Sequence, residues 1–195
     1  AHSTIVEVFM PNLILLALLA AFPPLSTDMY LPAIPTLQAQ WGISYATANL
    51  SMVLFMAVFS VFLLIHGPLS DRFGRKPVLI GGLILFILAS FGCALSPSIG
   101  ILITCRCLQA AGAAAAASLA LALSKDLYGG PQRQKILAYI GVIMALAPML
   151  APSIGGLMLK FASWRWIFIV QVGLALIGLY GVLRLEEPVR ELTRG

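Results

Sequence analysis

Gly67-Pro68-Leu69-Ser70-Asp71-Arg72-Phe73-Gly74-Arg75-Lys76-Pro77 sets one acid, three bases and two glycines between two long apolar runs. The run before it, 46–70, and the run after it, 77–96, are each long enough to cross a hydrocarbon core of about 30 Å as a helix of roughly 20 residues. A short charged corner between two such spans is a turn at a membrane surface. In lipid each span must be helical, because an open strand would leave its backbone groups unsatisfied. Of the two glycines, Gly74 permits a tight turn and Gly67 lets another helix come close. Asp71 can meet a positive helix N-terminus, while Arg72, Arg75 and Lys76 can form ion pairs or hold anionic headgroups.

The pattern repeats outward from this corner. Further apolar runs cover 8–28, 99–124, 135–159 and 164–185, which predicts an all-α membrane protein of six transmembrane helices. Pro97-Ser98 is a bare turn, and Gly129-Gly130-Pro131 separates the fourth helix from the fifth. Composition agrees: 61% of the 195 residues are hydrophobic and 10% are charged, with a mean hydropathy of +1.00. A soluble domain carries about a quarter of its residues as charges. The predicted domain covers 1–185, and the abruptly charged segment 186–195 reads as the start of a cytoplasmic linker or tail.

Charge placement orients the bundle. Arg72, Arg75, Lys76, Lys125, Arg133, Lys135, Arg184, Arg190 and Arg194 follow the second, fourth and sixth helices, whereas Lys160 and Arg165 alone follow the others. The excess places both termini in the cytoplasm. The same placement assigns the net charge of +5 to membrane topology and to no nucleic acid. The chain begins at Ala1, so its first residues read as a processing scar. The first run has neither a basic lead nor a small-residue cleavage site, and reads as a retained helix. Cys93, Cys105 and Cys107 fall inside apolar runs as small buried hydrophobes. No metal site, cofactor, catalytic nucleophile–base–acid set or phosphate-binding glycine loop is expected.

The corner at Gly67–Pro77 resembles the signature loop of the major facilitator superfamily. Three other stretches are similar to motifs of that family. Ser26-Thr27-Asp28-Met29-Tyr30-Leu31-Pro32 resembles the bicyclomycin-resistance-like branch of drug:proton antiporters. Arg106-Cys107-Leu108-Gln109-Ala110-Ala111-Gly112 resembles the membrane-embedded arginine motif. Ala147-Pro148 through Ala151-Pro152 and Gly155-Gly156 resemble the antiporter motif, with Ala151-Pro152 where Gly-Pro is usual. The resemblance implies the N-terminal half of a twelve-helix transporter, built of two inverted three-helix repeats. It also implies protons as the coupling ion, a small-molecule substrate, and a multi-pass place in a cell membrane, the bacterial inner membrane. One half encloses no cavity, so the partner is a missing C-terminal half or a second copy. A half-length protein assembling as a homo-oligomer without transport is the alternative, as is an isolated fragment inactive without its other half.

Two charges carry the chemistry. A charge inside a membrane span costs several kcal/mol unless paired or hydrated, which makes it a functional candidate. Arg106 falls about seven residues into its span, about 10 Å deep at 1.5 Å per residue. Asp28 lies at comparable depth if Pro32 and Pro35 mark the exit. As a proton site, Asp28 would be pushed toward its protonated form by burial and toward its ionised form by a nearby Arg106. Otherwise Asp28 ends a helix at the interface, and Arg106 snorkels or bonds backbone carbonyls. Gln109 shares the face of Arg106 at i+3. With Tyr30, Met52 and Met56 it completes the expected substrate cavity, although the stripe of Met52, Phe55, Met56 and Phe59 also suits lipid or helix contact. The run 110–117 reads as a packing surface, and His66 as a packed or interfacial residue. Pro23-Pro24, Pro148 and Pro152 are expected to bend their helices.

Overall fold

A computed structural model describes residues 2–184, with the side chains of 12–184; the segment 186–195 lies outside the described residues. The elements are α1 (His2–Asp28), a 3-10 turn (Leu31–Ala33), α2 (Ile34–Trp41), α3 (Tyr45–Phe73), α4 (Arg75–Ala94), α5 (Ile99–Leu127), α6 (Gly130–Phe161) and α7 (Arg165–Leu183). Six stretches are long and apolar enough to cross a membrane, the first being the end of α1 together with the 3-10 turn and α2. Among the described residues there is no strand.

The helix ends follow from local chemistry. Ser44 and Ser98 cap α3 and α5, their side chains accepting from Thr47 N and Ile101 N. The charged corner is shorter than the expected loop at 71–76. Asp71, Arg72 and Phe73 continue α3, Arg75 opens α4, and Gly74 alone turns the chain. Its φ of 100° is open to glycine at little cost. Pro23 and Pro24 do not end α1, which runs unbroken to Asp28.

Helix α5 is the axis of the bundle. It packs on α1, α3 and α4, while α4 also meets α7 and α1 also meets α6. Two thirds of its most apolar window (67%) is buried, against 11% for α6, so α6 is an outer helix. The alanine run makes the central position possible. Ala110, Ala111 and Ala113 to Ala116 are buried, and Gly112 faces the backbone of Gly82 and Phe86 on α4. Small residues bring the two backbones together, which in lipid supplies the packing that the hydrophobic effect cannot.

The contacts carry an internal symmetry. Exchanging α1, α3, α4 with α5, α6, α7 turns the α3–α5 contact into α1–α6 and the α4–α5 contact into α1–α7. The α1–α5 and α4–α7 contacts map onto themselves. Each unit has three spans, so the second begins on the opposite side of the membrane from the first, and the repeats are inverted.

On one end of the bundle, Arg165 donates to Ala94 O at 2.7 Å and Ser96 O at 3.0 Å, and Trp164 Nε1 donates to Gln40 Oε1 at 2.8 Å. These bonds tie α2, α4 and α7 together where the chain leaves the spans. Gly67 has no atom near enough to meet an added Cβ, so the close approach expected there is not made within the described residues.

The glycines separate by what they touch. A Cβ on Gly112 would stand 2.5 Å from Gly82 O and 2.7 Å from Phe86 N, whereas one on Gly156 meets nothing within 4 Å. Gly112→Ala should therefore cost about 1–3 kcal/mol through overpacking. Gly156→Ala should stay within about 0.5 kcal/mol. Thermal unfolding in detergent micelles measures the difference.

Candidate functional site

Arg106 is wholly buried, and what surrounds it defines the site. Nη1 donates to Ser26 O at 2.8 Å and to Gln109 Oε1 at 2.8 Å, while Nη2 lies 3.6 Å from Met52 Sδ. The guanidinium carbon stands 4.1 Å from the Phe55 ring centre, 4.5 Å from that of Tyr30 and 6.0 Å from that of Phe168. Helix α5 places Arg106 and Gln109 one turn apart on one face; the other groups come from α1, α3, α7 and the turn after α1.

The network extends through Gln109. Its Nε2 donates to Ser90 Oγ at 3.0 Å and to Gln171 Oε1 at 2.6 Å, and Gln171 Nε2 donates to Leu25 O at 3.1 Å. Two carbonyls near the end of α1 are thus held by side chains from α5 and α7. Beside them Tyr30 Oη shares a 2.6 Å bond with Ser51 Oγ, which itself donates to Ala48 O. Arg106 Nε and Ser26 Oγ are buried without a hydrogen-bond partner.

Among the described residues no carboxylate pairs with this cation, Asp28 included. Among the described residues the ion pairs are those of Arg75 with Asp71 and Asp126. A buried charge lacking a counter-ion is costly. Here two oxygen acceptors and aromatic faces take the counter-ion's place. A desolvated cation–π contact contributes about 2 kcal/mol, and hydrogen bonds to a charged group about 1.5–3 kcal/mol each.

The structure gathers Arg106, Gln109, Tyr30 and Met52 into one cluster. Asp28 is half-buried two residues beyond Ser26. Met56, one turn beyond Met52 on α3, is 56% exposed and stands outside the buried cluster. Ser90, Phe168 and Gln171 belong to the cluster but were not singled out from sequence. Gln171 offered a signal: it is a lone amide inside the apolar run of α7, where an unpartnered polar group would be expensive.

Helix α6 meets the same region from outside. A Cβ on Gly155 would overlap the Met29 carbonyl, so α6 lies directly on the turn that follows Asp28. Ala151, standing where glycine is usual, is fully buried in the cluster that holds Met29 and Tyr30. Pro152 is partly exposed, Pro148 exposed, and Gly156 faces open space.

At the other end of the bundle, Arg75 organises the charged corner. It reaches Asp71 Oδ1 at 2.8 Å and Asp126 Oδ2 at 2.8 Å, and it bonds Ser70 Oγ. The bond to Asp126 crosses from α4 to the last turn of α5. Lys76 Nζ donates to Leu183 O at 2.9 Å, which closes α7 onto α4. Arg72 lies over the ring of Phe73. Asp126 is the residue at this corner that sequence reasoning missed. His66 is packed, with Nε2 2.9 Å from Ala111 O.

The central network predicts a specific coupling. Gln109→Leu removes one of the two oxygen acceptors of Arg106 and the donor to Ser90 Oγ and Gln171 Oε1, and should cost about 1–3 kcal/mol. Gln171→Leu removes one of the two acceptors of Gln109 Nε2 and the side-chain donor to Leu25 O. The two residues share a bond, so the double variant should cost less than the sum by about 0.5 kcal/mol or more. A double-mutant cycle of unfolding in detergent reads that term; simple additivity would mean that the 2.6 Å bond contributes nothing.

Comparison with known proteins supplies the family. The Major Facilitator Superfamily profile matches residues 16–195. The chain is 39% identical over 179 residues to the uncharacterized MFS-type transporter YdgK of Bacillus subtilis, covering 90% of this chain and 44% of that protein. It is 35% identical to the multidrug resistance protein MdtL of Escherichia coli, covering 87% of this chain and 44% of MdtL. It is also 35% identical to a chloramphenicol resistance protein of Pseudomonas aeruginosa, covering 78% of this chain and 36% of that protein. The chain thus spans less than half the length of these relatives. In fold it resembles the proton:xylose symporter XylE, with a TM-score of 0.78 at 18% identity over 96% of this chain and 47% of XylE. The carboxylate-free arginine cluster, the Arg75 corner and the inverted three-helix units therefore sit in a chain that belongs to the Major Facilitator Superfamily.

Proposed function

We propose that this chain is the N-terminal half of a secondary transporter that exports small amphipathic compounds in exchange for protons. The observation that carries the reading is the buried Arg106 bonded to Ser26 O, two residues from Asp28. An immobile cation held at the end of α1 gives a carboxylate there a second state to compete for. Rotation of the end of α1 against α5 would break the Ser26 bond, free the guanidinium and turn Asp28 toward it. Proton release from Asp28 would then be linked to the same movement that admits substrate. Drug resistance in the names of MdtL and the chloramphenicol resistance protein supports export of such compounds.

The remaining assignments belong to the same proposal. Tyr30, Gln109 and Met52 would line the substrate path once the cluster opens, and Met56 would join it from the α3 face that meets the partner half. Gly67, Asp71, Arg72, Gly74, Arg75 and Lys76 would form the corner that changes partners during the cycle. Pro148, Pro152, Gly155 and Gly156 would set how α6 slides on the turn after α1. Lys and Arg placement supports an inner-membrane orientation with both termini cytoplasmic. A C-terminal half, or a second copy of the chain, would cover α3 and α6, whose faces include exposed Leu50, Val53, Met56, Tyr139, Leu146 and Met149.

The test is substrate-driven proton flux in proteoliposomes that contain the chain with its partner half. Asp28→Asn should abolish proton movement while leaving the folded protein in place. Arg106→Ala should reduce flux by at least about tenfold, corresponding to about 1.4 kcal/mol. Full proton-coupled transport by Asp28→Asn would overturn the proton-site assignment.

A further inference from the structure

A groove of about 430 Å³ runs along the outside of the bundle between α1 and α7. Ile14, Leu15, Leu18 and Ile177 form its apolar walls, and Asn12, Tyr180 and Arg184 stand at one end. Gly181 keeps it open, because a Cβ there would stand 2.8 Å from Leu15 Cδ1. Ile14 and Ile177 are each 61% exposed, so the groove opens toward the surroundings of the spans. In a bilayer those surroundings are hydrocarbon. Water would find few hydrogen-bond partners along these walls, so an acyl chain is the occupant that suits them.

The polar end narrows the choice further. Arg184 directly follows α7, and its guanidinium carbon lies 4.9 Å from the centre of the Tyr180 ring. The ring leaves the N–H edges of the guanidinium available, and Arg184 makes no ion pair among the described residues. A planar cation at the water boundary, above an apolar groove, complements a phosphate joined to a fatty chain.

We propose that the α1–α7 groove binds one anionic glycerophospholipid, with an acyl chain between Ile14 and Ile177 and the phosphate on Arg184. Under the orientation proposed above, the site faces the cytoplasmic leaflet; only that leaflet assignment rests on the earlier reading. The apolar walls continuous with Arg184 favour a lipid over free phosphate.

Native mass spectrometry of the purified protein in detergent tests the site, using dioleoylphosphatidylglycerol and dioleoylphosphatidylcholine as probes. The anionic lipid should be retained about fivefold better, the preference expected of one cation near the headgroup. Arg184→Gln should remove the preference while lipid is still bound. Ile177→Trp should fill the groove and reduce retention of both lipids. Leu64→Trp, at a 79% exposed position on α3, should change neither. Inorganic phosphate should not displace the lipid. Equal retention of the two lipids would overturn the proposal, as would a preference that survives Arg184→Gln or an Ile177→Trp variant that behaves like Leu64→Trp. The readout involves no transport, so its failure leaves the flux experiment standing.

Discussion

A guanidinium sealed inside a membrane bundle, with no carboxylate paired to it among the described residues, constrains everything around it. Arg106 must be surrounded by oxygen acceptors and aromatic faces, and each of these requires something of another helix. The carbonyl of Ser26 must point inward near the end of α1. Tyr30 must turn back beneath it, which the break after Asp28 allows. Gln109 must offer its oxygen to Arg106, so the two N–H bonds of its Nε2 need Ser90 and Gln171. The alanines and Gly112 that follow on α5 allow α4 close enough for Ser90 to serve. Polar satisfaction and close packing are here one requirement.

The two ends of the molecule use charge differently. In the centre, a cation without a counter-ion is held by neutral groups, so it stays sensitive to any shift of α1. At the Arg75 corner, a cation is held by Asp71 and Asp126, in a place where Asp71 is largely open to water. The first arrangement loses its partners when helices separate; the second can exchange them for water at small cost. Gly155 joins the first arrangement to an outer helix, since α6 rests on the carbonyl of Met29 one residue past Asp28.

Much of this was readable before any coordinates. Span length and charge asymmetry identify six helices because lipid leaves the backbone few options. Arg106 stood out because a charge within a span needs a reason, and Gln109 because i+3 spacing shares a face. Other features depend on which helices become neighbours, which periodicity within one helix does not encode. Gln171 and Ser90 look like ordinary polar interruptions until α4 and α7 flank α5. Asp126 becomes a partner of Arg75 only when the end of α5 meets the corner after α3. Met52 and Met56 share one stripe a helical turn apart, yet the neighbouring helices cover the first and leave the second 56% exposed. Charges at the corner suggest a solvated loop, although Gly74 turns the chain so sharply that its neighbours stay helical.

The central claim is that Arg106 is a shielded, fully engaged cation in the resting bundle. Nitrogen-15 NMR of arginine side chains in micelles addresses it directly, with Arg106→Lys identifying the signal. One guanidinium should have Nη protons that exchange slowly with water and resonances that vanish in Arg106→Lys. Rapid exchange at every arginine, with no signal lost beyond the freely solvated set, would contradict the claim.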